Sequence, residues 1–458
     1  MNVSAHSSIP NLRKSAFNIF QAGVAAADPY QAVRRCLIAD DNQLQILLNK
    51  NSDKRTGRWN KTHLIAFGKA ACPMIKAAID TIPAHYLSGQ AIAVTNYENV
   101  KPVPGVNVIG AGHPLPDDAG FNAARRCAEI AQDAKVGELV LVLVSGGGSA
   151  LIPYPVDPVS LPDKIRTTDL LLASGATINQ VNCVRKHLSQ LKGGGLVQMI
   201  APADCQALIL SDVIGDDLSA IASGSTVPDE TTFDDAIDLL KAKDIWHKVS
   251  SIVRDYLESG QQGEVKETAK PNDACFAKTS HTLIGSNTLS VKAIMKAAQE
   301  QGFDAILYGD NLCGEARDEA GKLVYFALAH LSTAGNRPIA LLAGGETTVT
   351  LKGNGRGGRN QEMALAFAIQ AQEQGLQGNW VFLSGGTDGR DGPTDAAGGM
   401  VDSGTIQRML KAGVNPTELL YNNDAYTALK SSQDLLMTGA TGTNVADLQI
   451  LLIQPFQS

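Results

Sequence analysis

The chain has 458 residues, 44% hydrophobic and 19% charged, with a formal net charge of -7. That length allows two or three domains around a large core, and the acidic balance argues against a general nucleic-acid binder. No run of 18 uncharged apolar residues could span a membrane, the N-terminus lacks a signal-peptide core, and seven scattered cysteines without a Cys-x-x-Cys pair suit a reducing cytoplasm rather than zinc or disulfides.

In chain order, an opening helical stretch, "NLRKSAFNIFQAGVAAADPYQAVRRCL", precedes a plan that recurs: apolar β-rich run, glycine or polar loop, helical pattern. The first cases are "HLIAFGKAA" (63–71), "LVLVLVSGGGSA" (139–150) and "ALILSDVIGDDLS" (207–219). A polar stretch near 258–280 then interrupts the plan. It resumes with "TLIGSNTLSVKAIMKAAQEQG" (282–302), "PIALLAGGETTV" (338–349) and "WVFLSGGTDGRDG" (380–392). Runs without apolar/polar alternation predict strands covered on both faces, as in mostly parallel sheets, and their alternation with helices predicts an α/β class. The polar stretch divides the chain into expected domains 1–275 and 276–458, and the opening helix could pack on either.

Ligands of open α/β sheets bind outside the carboxyl ends of the strands. The loops that fall there carry Lys69, the turn Ser145-Gly146-Gly147-Gly148-Ser149, Asp212, Asp216, Asp217, Asn287, Glu346, Thr347, Arg359, Asp388, Asp391 and Asp395. The glycine turn is either a tight connector or a nest of backbone N–H groups for an anion such as phosphate. Lys69 is either a solvated surface cation or one that points into the crevice. Carboxylates among glycines, as at Asp388, Asp391 and Asp395 and again at Asp212, suit Mg²⁺ shared with phosphate oxygens, and equally suit ordinary turns. His113, between glycine and proline, reads as structural.

Gly353, Gly355 and Gly358 match G-x-G-x-x-G literally. The preceding "TTVTLK" alternates like a half-exposed strand, and the first acid at the tip of the next strand, Asp388, lies beyond the roughly 20-residue spacing of a dinucleotide fingerprint. The stretch reads instead as a flexible loop presenting Arg356 and Arg359, the latter opening a helix. Neither a Walker A sequence nor a G-x-S-x-G elbow occurs. An anion-binding turn, a Lys, an Arg and several Asp together suit phosphoryl transfer, which depends on positioning and charge neutralisation.

The blocks "VSGGGSAL", "GATINQVNCVRKHLSQLKGGGL", "LSDVIGDDLSAIASGSTVPD", "GGETTVTLKGNGRGGRNQEMALAFA", "SGGTDGRDGPTDAAGGMVD" and "GATGTNVADLQILLI" resemble, in order and from about residue 12 onward, the glycerate 2-kinases with a C-terminal MOFRL module. The resemblance implies a Rossmann-like N-terminal domain, a smaller α/β C-terminal domain and an active site in the cleft between them. It implies ATP and Mg²⁺, D-glycerate phosphorylated at its 2-hydroxyl, and a monomer or homodimer without nucleic-acid or membrane partners. The family's important lysine and arginine fall on Lys69 and Arg359. On this reading the residues Ser145–Ser149 and Asn287 bind nucleotide, Lys69, Arg359 and Glu346 contact substrate, Lys69, Arg359 and Asp212 are catalytic, and Asp212, Asp388, Asp391 and Asp395 hold metal. Ser225 stands where the family is expected to carry proline, a change expected to alter loop stiffness more than chemistry. Relatives are often labelled hydroxypyruvate reductase, so an NAD(P)H-dependent reductase is the alternative.

Overall fold

The computed structural model describes residues 8–40, 43–48, 53–334 and 337–454. The chain divides into two compact units, one of Pro29–Ile284 and one joining the residues up to Asp28 to those from Gly285 onward.

Within Pro29–Ile284, a small antiparallel sheet comprises β1 (Leu37–Ala39), β2 (Leu44–Leu47) and β3 (Lys54–Gly57). The main sheet contains β4 (Thr62–Phe67), β5 (Leu87–Asn96), β6 (Asn107–Ala111), β7 (Leu139–Val144), β8 (Asp204–Leu210) and β9 (Thr279–Gly285), in the order β6-β5-β4-β7-β8-β9. Strands β4 to β8 pair in parallel. Renumbered from β4, that is the 3-2-1-4-5-6 order of a dinucleotide-fold sheet, whose topological switch point lies between β4 and β7. Every residue of β4 and of β7 is buried, as expected of central strands covered on both faces.

The second unit is built on a mixed sheet of β10 (Asp304–Leu312), β11 (Ile339–Gly345), β12 (Asn379–Gly386), β13 (Gly398–Asp402), β14 (Leu435–Leu436) and β15 (Asp447–Gln454). Its order is β10-β11-β15-β12-β13-β14, with β10 and β11 parallel and the other pairs antiparallel. The stretch 348–353 is not a strand: apart from an isolated bridge from Thr348 to Glu315 it is irregular, so the expectation from "TTVTLK" is corrected.

The compact units differ from the expected division at 275/276. They meet at Ile284/Gly285, and the opening segment, whose packing the sequence leaves open, belongs with the later residues. The cause is the apolar stripe Leu12, Ala16, Ile19 and Phe20, fully buried at the spacing of one helix face. The helix Ile9–Ala26 packs this stripe, with the helix Asn287–Glu300, against Leu448, Ile450 and Leu452 of β15. Ser290 donates a hydrogen bond to the Gly23 carbonyl (2.8 Å), and Arg13 pairs with Asp402 and Asp434. Among the described residues no helix is long and apolar enough to cross a membrane.

Candidate active site

In the unit Pro29–Ile284, the loops that leave the central strands meet at the switch point. The Lys69 N–H donates to the Gly146 carbonyl (2.8 Å), and the Ala70 N–H donates to the Ser145 hydroxyl (3.0 Å). Gly68 makes the approach possible. Its φ is +119°, and a Cβ there would lie 2.2 Å from the Ser145 hydroxyl oxygen. Thr95, near the end of β5, and Asn99, after it, both donate to the Lys69 carbonyl (3.2 Å each). The lysine is thus held by backbone, while among the described residues its ammonium makes no ion pair.

Asp212, just beyond β8, reaches across to the same turn. A Cβ on Gly146 would lie 2.0 Å from an Asp212 carboxylate oxygen, so a glycine is needed there for space. Burial raises the Asp212 pKa, and Lys69 opposes that shift. His113, after β6, lies against Gly147 together with the Lys69 side chain. Burial, and next the Lys69 charge, lower the His113 pKa and favour a neutral ring. Lys69, His113, Gly146, Gly147 and Asp212 therefore converge from four strand ends.

The turn itself differs from the expectation. The Ser145 side chain is buried and committed to Ala70, so it stitches two loops together. Ser149 is half-buried, and its hydroxyl shares a hydrogen bond with Ser223 (2.8 Å), which donates to Asn182 (2.9 Å). Ala222 and Ser223 have φ of 50° and 54°, left-handed values costly for residues with a Cβ. Ser225 does more than set loop stiffness. It donates to the Ala222 carbonyl (3.2 Å) and accepts from the buried Lys192 ammonium (3.5 Å). Asp216 and Asp217 form a turn, with the Ser219 N–H donating to the Asp217 carboxylate (2.9 Å).

The second unit gathers its charges at one edge of the mixed sheet, where Asp447 is in register with Gly345 on one side and Gly386 on the other. Arg359, the first residue of the helix Arg359–Glu373, donates to both oxygens of the fully buried Asp447 (2.5 and 2.9 Å) and pairs with Glu346 (3.0 Å). Asp447 was missed in the sequence; its signal is an acid that opens a mostly apolar strand.

Asn287, expected to bind nucleotide, ties two segments of this unit together through its amide nitrogen. It is buried, and its amide donates to the carbonyls of Val445 (2.8 Å) and Asp447 (2.9 Å). Asp391 caps the helix Arg359–Glu373: one oxygen accepts from the Asn360 N–H (3.1 Å), the other from the Gln361 N–H (2.8 Å). Burial pushes its pKa up to about 6 against those hydrogen bonds. Asp395 is exposed and accepts from the Tyr426 hydroxyl (2.8 Å), and Asp388 accepts from the Arg390 N–H (2.9 Å). Among the described residues no group of three or more His, Cys, Asp or Glu is arranged to hold a metal ion. Asp391 and Asp395, expected to hold metal, thus have their carboxylates engaged by the helix N–H groups and by Tyr426.

The 353–358 loop is packed rather than loose. The Gly353 N–H donates to the Asn423 side chain (3.0 Å), the Gly355 N–H to the Asn422 carbonyl (3.0 Å), and Arg356 stacks over the Tyr426 ring (4.6 Å). Asn422, Asp424 and Asp391 fill the space above its glycines.

Residues 15–258 match the family described as a domain of unknown function, DUF4147, and residues 339–447 match the MOFRL family. A glycerate 2-kinase of Pyrococcus horikoshii is 40% identical over 447 residues, covering 97% of this chain and 98% of that one. A putative hydroxypyruvate reductase of Agrobacterium vitis is 40% identical over 398 residues, covering 85% and 98%. The crystal structure of a glycerate kinase from Thermotoga maritima superposes with a TM-score of 0.84 at 37% identity, covering 97% of this chain and all of that one.

Proposed function

We propose that this chain, which belongs to the family of glycerate 2-kinases with a C-terminal MOFRL module, transfers the terminal phosphoryl group of ATP to the 2-hydroxyl of D-glycerate. The observation that carries the reading is the meeting of Lys69, the Gly146–Ser149 turn and Asp212 at the switch point of a nucleotide-fold sheet. The open backbone of the turn receives nucleotide phosphates. Lys69, fixed by its own backbone and without a counter-ion, neutralises charge on the phosphoryl group in flight. Asp212, with its pKa raised by burial, orients the attacking hydroxyl or takes its proton.

Mg²⁺, when bound, would neutralise phosphate charge, with Asp212 as the carboxylate available to it. Arg359 gives two of its nitrogens to Asp447 and pairs the third with the half-exposed Glu346, which must give way before that nitrogen can meet a substrate anion. The seven cysteines are free thiols, which supports a reducing, cytoplasmic setting. Hydroxypyruvate reduction loses its local support, because the Gly353–Gly358 stretch is occupied by side chains of its own unit where a pyrophosphate would need open backbone.

The test is an assay of the full chain with D-glycerate, ATP and Mg²⁺, with the product identified by ³¹P NMR. Glycerate-dependent ADP release with 2-phosphoglycerate as product is expected. NADH oxidation with hydroxypyruvate in the absence of ATP, with no phosphorylated product, would replace this reading by the reductase.

A further inference from the structure

The helices Leu161–Ala173 and Ile178–His187 border a cavity of about 370 Å³ within the unit Pro29–Ile284. Lys164, Arg185 and His113 line it, along with Gly147 and Ser149 of the glycine turn. Lys192, fully buried, backs the same region through hydrogen bonds to the Gly148 carbonyl (3.2 Å) and the Ser225 hydroxyl. Among the described residues none of the three basic side chains has a carboxylate partner. Lys164 donates to the Leu188 carbonyl (3.0 Å), and Arg185 reaches only the Asn182 side-chain oxygen (3.5 Å). The one acid in the lining, Asp169, is exposed.

The neighbouring Lys186 gives the contrast. It is as buried as Lys164, yet the fold supplies it with the fully buried Asp229 at 3.2 Å. Buried cations without counter-charge are costly, the more so when they repel one another. Burial, then Lys192 and Arg185, depress the Lys164 pKa, and burial, then Arg185, bring Lys192 to about 7. A protein that neutralises one buried lysine and leaves three adjacent cations bare has kept a place for an anion.

Resting on the kinase reading, we propose that this cavity binds the carboxylate of the acceptor hydroxy acid, with Arg185 and Lys164 as its counter-charges. Arg185 offers a planar fork suited to a carboxylate. The apolar walls at Leu115, Ile165 and Leu172 suit a small organic acid better than a hydrated polyphosphate. Gly147 and Ser149 are shared with the turn assigned to nucleotide, so the acceptor lies beside the donor. Neither cation was singled out in the sequence. Arg185 lies in the "NCVRKHLSQLKGGG" block, in which no acid occurs; Lys164 lies outside it and carries no comparable signal.

The test uses the full chain with Arg185→Met, Arg185→Lys and Lys164→Met. The Met variants should raise KM for D-glycerate at least about tenfold and leave KM for ATP within about twofold. Arg185→Lys should fall between them and the parent. Because an uncompensated buried charge is removed, the Tm of the ligand-free Met variants should hold or rise. Calorimetry without nucleotide should show D-glycerate binding to the parent and weakening in the variants, with glycerol, which lacks the carboxylate, not binding. A raised KM for ATP with intact glycerate binding would make this a phosphate site and overturn the proposal. Lowered Tm with both KM values unchanged would make the cations structural. If the parent shows no turnover, the kinase reading fails, while the comparison of D-glycerate with glycerol still decides the cavity.

Discussion

The two sheets of this chain carry charge at their tips in opposite ways. At the parallel sheet of Pro29–Ile284, Lys69, Lys164, Arg185 and Lys192 stand without carboxylate partners among the described residues. At the mixed sheet, Arg359 is clasped by Asp447 and Glu346, Asp391 by helix N–H groups and Asp395 by Tyr426. Both tips look alike in the sequence: glycines with Asp, Lys and Arg after an apolar run. The difference teaches that such a motif either completes its own fold or waits for a ligand, and that the partners decide which.

Substitutions at Arg359, Lys69 and Asp391 would sharpen or break that comparison. The largest effect is expected from Arg359→Ala, which strands the fully buried Asp447. It should cost about 3–5 kcal/mol of unfolding free energy, on the scale of breaking a buried ion pair, and lower kcat/KM by on the order of 10²-fold. Denaturant titration and steady-state rates read both. Arg359→Met combined with Asp447→Asn should recover much of the stability and none of the rate, which separates the two roles.

Lys69→Met should lower kcat/KM by a similar factor of about 10² while moving stability by no more than about 0.5 kcal/mol. A large stability loss there would mean that the lysine is as structurally committed as Arg359, and the contrast between the tips would fail.

The smallest effect belongs to Asp391. Asp391→Ala should cost about 1–2 kcal/mol, the scale of a lost helix cap. Its pKa is about 6 in the folded chain against 3.8 when free, so between those values the folded state holds a proton that the unfolded chain releases. This group's contribution therefore falls as pH rises from about 4 to 6 and is fully present only below that window. Stability against pH, compared between the parent and Asp391→Asn, should show that slope diminished in the variant. An unchanged slope would remove Asp391 as its source.

What the sequence determined by itself was local and periodic. Unbroken apolar runs such as "LVLVLV" specify covered strands whatever packs on them, and the glycine triplet marks a place where backbone must come close to something. Lys69 and Asp212 were legible because each follows such a run, and Arg359 because it opens a helix after a glycine loop. The tertiary structure alone decided which unit the opening helix joins, since its apolar stripe would suit either sheet. It alone decided that Asp391, Ser145 and Asn287 are consumed by caps and ties, and that Asp447, Lys164, Arg185 and Lys192 matter. A hydrogen bond or ion pair acts over a few ångströms, whereas its partners here lie from 75 to 158 residues apart along the chain. No periodicity records that distance; only folding closes it.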